Sequence, residues 1–226
     1  MPVKNNLLEK QENIYIVFSS TSTKMGSFIQ FITRYKYNHV SLSFDKNIHT
    51  MYSFARYNKG IPLVGGFVEE SVLRYFDENK KWAQVKICEI PISEEKYIKL
   101  KEYIKEIKTK SDEYIYNSFS AALVPIHKKI EIKNSFTCLE FINFILGEFN
   151  IEISVKSKKF FSVYDLDCLL SKHLVYEGSL DSHAVINGWG NDCFNFNQSN
   201  AASATIKTAN HFKRLLVRMI FKTNSK

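Results

Sequence analysis

Short apolar runs dominate the first part of the chain. The run NIYIVFSS (13–20) is rich in β-branched and aromatic residues, which predicts a buried strand. HVSLSFD and MYSFARY predict two more strands joined by the turn-like DKNIHT, and WAQVKICEIP predicts a strand that ends at Pro91. NKGIPLVGG is typical of a loop, and the type of FVEESVLRYF, which follows it, stays open.

Helical periodicity replaces these runs in several other segments. SEEKYIKLKEYIKEIKTK, opened by Ser93, predicts an amphipathic helix, and EYIYNSFSAAL predicts a more buried helix that ends at Pro125. KMGSFIQFITRY, TCLEFINFILGEF, SVYDLDCLLSKH and the basic HFKRLLVRMIF predict further helices. Since strands and helices do not alternate regularly, we expect an α+β fold in which a small antiparallel sheet packs against helices.

The predicted strand HVSLSF has two faces of different character. Because side chains alternate along a strand, Val40 and Leu42 point one way, while His39, Ser41 and Ser43 point the other. A face of small polar residues with a histidine allows another group to approach the backbone closely. The alternative is a half-exposed sheet with an ordinary surface histidine.

The segment TCLE has the sequence of a helix start. Thr137 followed three residues later by Glu140 forms a capping-box pattern, which makes Cys138 the first helical residue. Its sulfur then lies beside unpaired backbone N–H groups and the positive end of the helix dipole, and both stabilise a thiolate. Cys138 also shares a helix face with Ile142 and Ile145, so a purely structural core cysteine is the alternative.

Composition narrows the class of protein. The 226 residues, 45% of them apolar and 14% aromatic, are typical of a globular chain, and no apolar run approaches the roughly 18 residues of a membrane span. The N-terminal MPVKNNLLEKQEN lacks the apolar core of a secretory signal, so we expect a cytoplasmic protein. The other cysteines, Cys88, Cys168 and Cys193, do not lie at a predicted helix start as Cys138 does. The cysteines and histidines have no metal-ligand spacing, so neither a metal nor another cofactor is expected.

The net charge of +8 is concentrated at the C-terminus, where six Lys or Arg and no acid follow Ala201. Such a segment is either a solvated tail or a surface that attracts an acidic partner. An acidic carrier protein and an anionic membrane surface are the candidate partners. No nucleic-acid partner is expected, because no RNA- or DNA-binding motif is present.

The segments YNHVSLSFD, MYSFAR, GGFVEE and TCLEF, in that order, resemble the circularly permuted papain-like proteins. These are relatives of the NlpC-type cell-wall peptidases and of lecithin retinol acyltransferase. The first three segments closely resemble a run common in an uncharacterised clostridial-type branch of this group. The resemblance covers residues 13–178, which it implies to be one permuted papain-like domain. Residues 179–226 are then a basic extension, expected to dock on the same domain.

The resemblance implies a site as well as a fold. Cys138 matches the nucleophile, and His39 matches the base that takes its proton. Relatives place a third polar group on the strand after the histidine, where it orients the imidazole. Ser53, on the His39 face, is the preferred candidate for this group, and His49 is the alternative. A serine orients an imidazole less well than a carboxylate or an amide does.

Three functions are consistent with this resemblance. The first is amide hydrolysis of a small peptide or acyl substrate through a thioester acyl-enzyme. The second is an acyltransferase that makes an amide or ester from a donor such as a carrier-protein thioester. The third is a papain-like domain that has lost catalysis and serves as a binding module.

Overall fold

The computed structural model describes residues 10–21, 34–58, 60–61, 63–75, 82–151, 162–180 and 200–223. Their strands are β1 (Gln11–Ser19), β2 (His39–Ser43), β3 (Met51–Arg56), β4 (Gly65–Glu70), β5 (Gln84–Ser93), β6 (Ile115–Tyr116), β7 (Ser135–Phe136) and β8 (Leu174–Ser179). Their helices are α1 (Glu94–Thr109), α2 (Ser118–Leu123), α3 (Cys138–Glu148), α4 (Val163–Leu170) and α5 (Ala201–Thr223).

Six of the strands form one sheet in the order β4-β3-β2-β1-β5-β8. Every neighbouring pair in it is antiparallel, whereas β6 and β7 form a separate parallel pair. The expected α+β class with an antiparallel sheet is therefore confirmed.

Alternation along the strands gives the sheet two buried faces. On β1, Ile14, Ile16 and Phe18 belong to a core cluster that includes the inner sides of α1 and α3. Tyr15 and Val17, which point the other way, belong to a second cluster beneath the 3-10 turn at residues 72–75. Burial on both faces explains why β1 reads as an almost continuous apolar run.

The prediction that the strand in WAQVKICEIP ends at Pro91 is wrong. β5 continues to Ser93, and Pro91 lies opposite Asn13 of β1. The neighbour on the other side, β8, pairs only with residues 84–88 of β5. Pro91 is thus on an edge of the sheet, where a missing backbone N–H costs little.

The segment EYIYNSFSAAL is also not the single helix that its apolar pattern predicts. Ile115 and Tyr116 form β6, and the helix α2 begins only at Ser118, after its N-cap Asn117. The Asn117 side chain accepts a hydrogen bond from the backbone N–H of Ser120, which fixes this start. The helix expected around Met25 and Ile32 lies outside the described residues.

The end of the chain packs on the rest of the fold. β8, which the sequence analysis did not predict, pairs with β5 across the expected boundary between residues 178 and 179. On α5, Leu215 is fully buried against Ile115 and Ile132, and Arg218 donates to the backbone carbonyl of Asn134 at 3.0 Å. None of the described helices combines the length and the apolar character needed to cross a bilayer.

Candidate active site

His39 opens β2 and is buried, as are the other four residues of that strand. Its neighbour across the β1 ladder is Ser19, and Ser41 stands two residues along on the same face. The alternation predicted for this strand is present, but the face that carries His39 is not half-exposed. Its small side chains leave room for other buried polar groups.

The group that occupies this room is the carboxylate of Glu70, at the end of β4. His39 Nε2 lies 3.0 Å from Glu70 Oε1 and 3.2 Å from Oε2. Hydroxyl groups complete the shell of the carboxylate: Ser53 donates to Oε1 at 2.7 Å, Ser41 donates to Oε2 at 2.8 Å, and Tyr75 donates to Oε2. Glu70 is only 1% exposed, so protein groups replace the water that would otherwise solvate its charge.

This arrangement fixes the charges of the pair. Burial opposes ionisation of Glu70, but His39, then Arg74 and Tyr75, hold the pKa of Glu70 well below its usual range. Burial likewise opposes the charge on His39, yet the Glu70 carboxylate outweighs it and, together with Cys138, raises the pKa of His39 to about 10. At neutral pH the pair is therefore an imidazolium and a carboxylate.

Cys138 is the first residue of α3, as the capping-box pattern predicts. The Thr137 hydroxyl accepts from the backbone N–H of Glu140 at 3.2 Å, and the Thr137 N–H donates to the Glu140 carboxylate at 2.8 Å. The first turn of a helix has N–H groups without partners inside the helix. Cys138 thus lies at the positive end of α3, where its side chain is 8% exposed.

The fold brings Cys138 and His39 together across about a hundred residues of sequence. α3 packs against β2 and β3. A side-chain hydrogen bond and an electrostatic interaction with Cys138 both contribute to the raised pKa of His39. The carboxylate of Glu70 interacts with the same ring, at Nε2. His39 therefore lies between a thiol and a buried carboxylate.

β6 forms one wall beside the cysteine. Its pairing with β7 sets Tyr116 next to Phe136, two residues before Cys138. Burial, followed by the nearby Cys138 and Glu140, raises the pKa of Tyr116. Asn117 then donates to the Glu140 carboxylate at 3.3 Å, which links the start of α2 to the start of α3.

The two candidates for the third polar group have other partners. Ser53 lies on the His39 face, as predicted, but its hydroxyl donates to Glu70, and in the described part of the chain no hydrogen bond joins it to His39. His49 lies in the turn after β2, at the opposite end of that strand from His39, where its Nδ1 pairs with Asp45. The side chain that orients the His39 ring is Glu70.

The sequence did not predict Glu70 as a site residue, because the secondary structure of its segment, FVEESVLRYF, stays open. Read as a strand, FVEE places Val68 and Glu70 on one face and Phe67 and Glu69 on the other. That pattern could have identified Glu70 as an inward carboxylate. Its position opposite Met51, however, depends on the register between β3 and β4, which the sequence does not reveal.

The remaining cysteines have different surroundings. Cys88 is buried in the core, and burial raises its pKa to about 12, while Cys168 is exposed on α4. Cys193 lies outside the described residues. Within the described ranges, no group of three or more metal-ligating side chains is present.

Comparisons of the chain with protein-family models, with curated proteins and with solved structures find no match.

Proposed function

We propose that this protein is a cysteine-dependent acyl-transfer enzyme with a permuted papain-like fold, and that its reaction is the hydrolysis of an amide in a small peptide or acyl substrate. The observation that carries the proposal is the position of His39 between the Cys138 sulfur and the buried carboxylate of Glu70. A nucleophile, a base and an orienting group in that order are the requirement for nucleophilic catalysis of acyl transfer.

The first half of the proposed reaction forms an acyl-enzyme. His39 already holds the proton of Cys138 as an imidazolium, and the thiolate attacks the carbonyl carbon, so that a C–S bond forms and the carbonyl oxygen gains negative charge. Backbone N–H groups in the first turn of α3 stabilise that charge. The imidazolium of His39 then protonates the leaving amine, the C–N bond breaks, and a thioester remains on Cys138.

The second half releases the acyl group. Neutral His39 removes a proton from water, whose oxygen attacks the thioester carbonyl. The C–S bond breaks, a carboxylic acid leaves, and the sulfur recovers its charge beside the imidazolium. An amine or alcohol in place of water would give an amide or ester, so the acceptor alone separates a hydrolase from an acyltransferase.

Iodoacetamide labelling at mildly acidic pH tests the proposed pair, because only a thiolate reacts. We expect Cys138 to be labelled faster than Cys168, although Cys168 is the more exposed thiol. His39→Ala is expected to abolish this preference. His49→Ala is the matched control, because it removes a histidine that also pairs with a carboxylate but lies away from the cysteine.

The substrate class is tested separately. After incubation with a cell extract, the intact protein is weighed by mass spectrometry, and an acyl adduct on Cys138 that is absent from Cys138→Ser identifies the donor. Slow labelling of all cysteines at similar rates, with no adduct, would contradict the enzyme proposal and favour a non-catalytic binding module.

A further inference from the structure

Helix α5 has apolar side chains on two sides, one that is buried against the domain and one that is exposed in the described part of the chain. Towards the domain it buries Leu215 and packs Phe212 against Phe119. On the outward side, four branched aliphatic side chains are exposed, with exposed fractions from 42% to 61%: Ile206, Leu216, Val217 and Ile220. These four account for nearly half of the nine large apolar side chains that are exposed in the described part of the chain.

The geometry of the helix places these side chains along one side of it. At about 100° per residue, Ile206, Val217 and Ile220 project within about 60° of one another, and Leu216 lies at the margin. They span the 15 residues from 206 to 220, or about 21 Å of helix. We call these four side chains the outward aliphatic stripe.

The charge of α5 has a single sign. Its sequence contains five basic residues and no Asp or Glu: Lys207, Lys213, Arg214, Arg218 and Lys222. Arg214 and Arg218 donate to backbone carbonyls of the domain, which helps to hold the helix in place. Lys207 and Lys213 are exposed, and Lys213 projects within the stripe itself. A long lysine stem can lie along an apolar surface while its ammonium group stays in water.

We propose that the outward aliphatic stripe of α5 docks on an anionic lipid surface, with the helix lying in the plane of the membrane interface. Branched aliphatics beside lysines, with no carboxylate on the helix, are the features of an interfacial helix. The apolar side chains enter the boundary between headgroups and acyl chains, and the lysines approach lipid phosphates.

A second copy of this chain fits the outward aliphatic stripe less well than an anionic lipid surface does. Pairing the stripe with itself would bring together two helices that each carry five basic residues and no acid, and like charges in contact are destabilising. An acidic protein would satisfy the lysines, but it would have to supply an apolar groove about 21 Å long for the aliphatic side chains as well. An anionic lipid surface supplies negative charge for the lysines and an apolar layer for the aliphatic side chains at any position.

The stripe is also held close to the candidate active site. His211, on the inner side of α5, lies 2.9 Å from the backbone carbonyl of Tyr116, whose side chain is near Cys138. A membrane-bound α5 would therefore keep the cysteine near the lipid surface. The proposed docking does not depend on catalysis, so it can be confirmed or refuted independently of the proposed function.

Vesicle flotation of the full chain tests the proposal. We expect the protein to float with vesicles of phosphatidylcholine mixed with phosphatidylglycerol and not with phosphatidylcholine alone. Replacing Ile206 and Ile220 together by asparagine is expected to weaken binding by at least about tenfold, since both lose the burial of a branched aliphatic side chain in lipid. Replacing Lys207 and Lys213 together by glutamine is expected to weaken it by about tenfold or more.

The matched controls lie on α1. Ile98 is 50% exposed, and Ile98→Asn removes a comparable side chain from a different surface; Lys105→Gln does the same for a lysine. Both are expected to bind like the wild type. Thermal unfolding and Cys138 labelling, measured on every variant, verify that the fold and the site are unchanged.

Three results would overturn the proposal: no flotation with anionic vesicles, equal flotation of the α5 variants and the α1 controls, or equal binding to neutral vesicles. Sedimentation that shows dimers dissociating in the Ile206 and Ile220 variant would assign the stripe to a second copy instead. Loss of Cys138 reactivity with intact flotation would refute the proposed enzyme while leaving the membrane surface in place.

Discussion

Replacing Glu70 with glutamine removes one buried negative charge while keeping the size and shape of the side chain. Ser53 donates to Oε1 of Glu70 and Ser41 to Oε2, so the amide oxygen can still accept from one of these hydroxyls, and the other hydroxyl can rotate to accept from the amide NH2. The main loss is the attraction between the carboxylate and the imidazolium of His39. The variant therefore measures how strongly Glu70 holds the proton on that ring.

The distance between the two groups gives the magnitude. Opposite unit charges 3.0 Å apart, as His39 Nε2 and Glu70 Oε1 are, attract each other by about 5 kcal/mol at an effective dielectric constant of about 20. One pKa unit corresponds to about 1.4 kcal/mol, so the pKa of His39 should fall by about 3 to 4 units. Starting from about 10, the expected value in Glu70→Gln is about 6 to 7.

The assay is an NMR titration of protein with isotopically labelled histidine. The His39 resonance is assigned as the one that His39→Gln lacks, and its midpoint is followed from mildly acidic to alkaline pH. Glu69→Gln is the matched control, because Glu69 pairs with Lys108 and points to the opposite face of β4. We expect the control to titrate like the wild type and Glu70→Gln to titrate near neutral pH.

Two results would refute this reasoning. If His39 in Glu70→Gln kept a midpoint near that of the wild type, the carboxylate would not be the source of the raised pKa, and the role of Glu70 as the orienting charge would be lost. An equal fall in Glu69→Gln would point to a general effect of net charge and would refute it too.

Three further predictions concern stability. Thr137→Ala should lower the unfolding free energy by about 1 kcal/mol through loss of the α3 cap, while Thr137→Ser should keep it; equal urea midpoints for the two would contradict the cap. Leu215→Ala should cost about 2 to 4 kcal/mol in the same assay because it opens a cavity beneath α5, whereas Leu216→Ala, its exposed neighbour, should cost far less. Because the pKa of His39 is raised to about 10, its positive charge contributes its full stabilisation of the fold below about pH 6.5. This stabilisation is lost as the pH rises through about 10. Unfolding free energy should fall by a few kcal/mol over that range, and by less in His39→Gln; parallel pH profiles would argue against a buried charged His39.

Features that depend on neighbouring residues were predictable from the sequence. The spacing of Thr137 and Glu140 predicts a capping box, and α3 begins at Cys138, directly after the N-cap of that box. Alternation in HVSLSF places His39 and Ser41 on the face opposite Leu42, as found. In both cases the determining interactions span only a few residues.

Features that depend on distant pairing were not predictable. Glu70 reaches His39 only because β3 lies between β2 and β4 in the sheet and because Met51 pairs with Glu70. Ile115 and Tyr116 read as the start of a helix, but their pairing with β7 makes them a strand. In such places tertiary contacts override local propensity, and no pattern within one segment identifies the partner.

The shell around Glu70 bears on the direction of proton transfer in the proposed reaction. Three hydroxyl groups donate to this carboxylate in addition to His39: those of Ser41, Ser53 and Tyr75. Because these donors solvate the charge, Glu70 stays ionised even when His39 gives up its proton. The proton of the imidazolium is then released toward the sulfur and the leaving group rather than taken by the carboxylate. A shell that depended on His39 alone would leave a bare buried charge at each turnover, at a cost of several kcal/mol. The small polar face of the sheet thus explains how a buried glutamate can hold His39 through a reaction without competing for its proton.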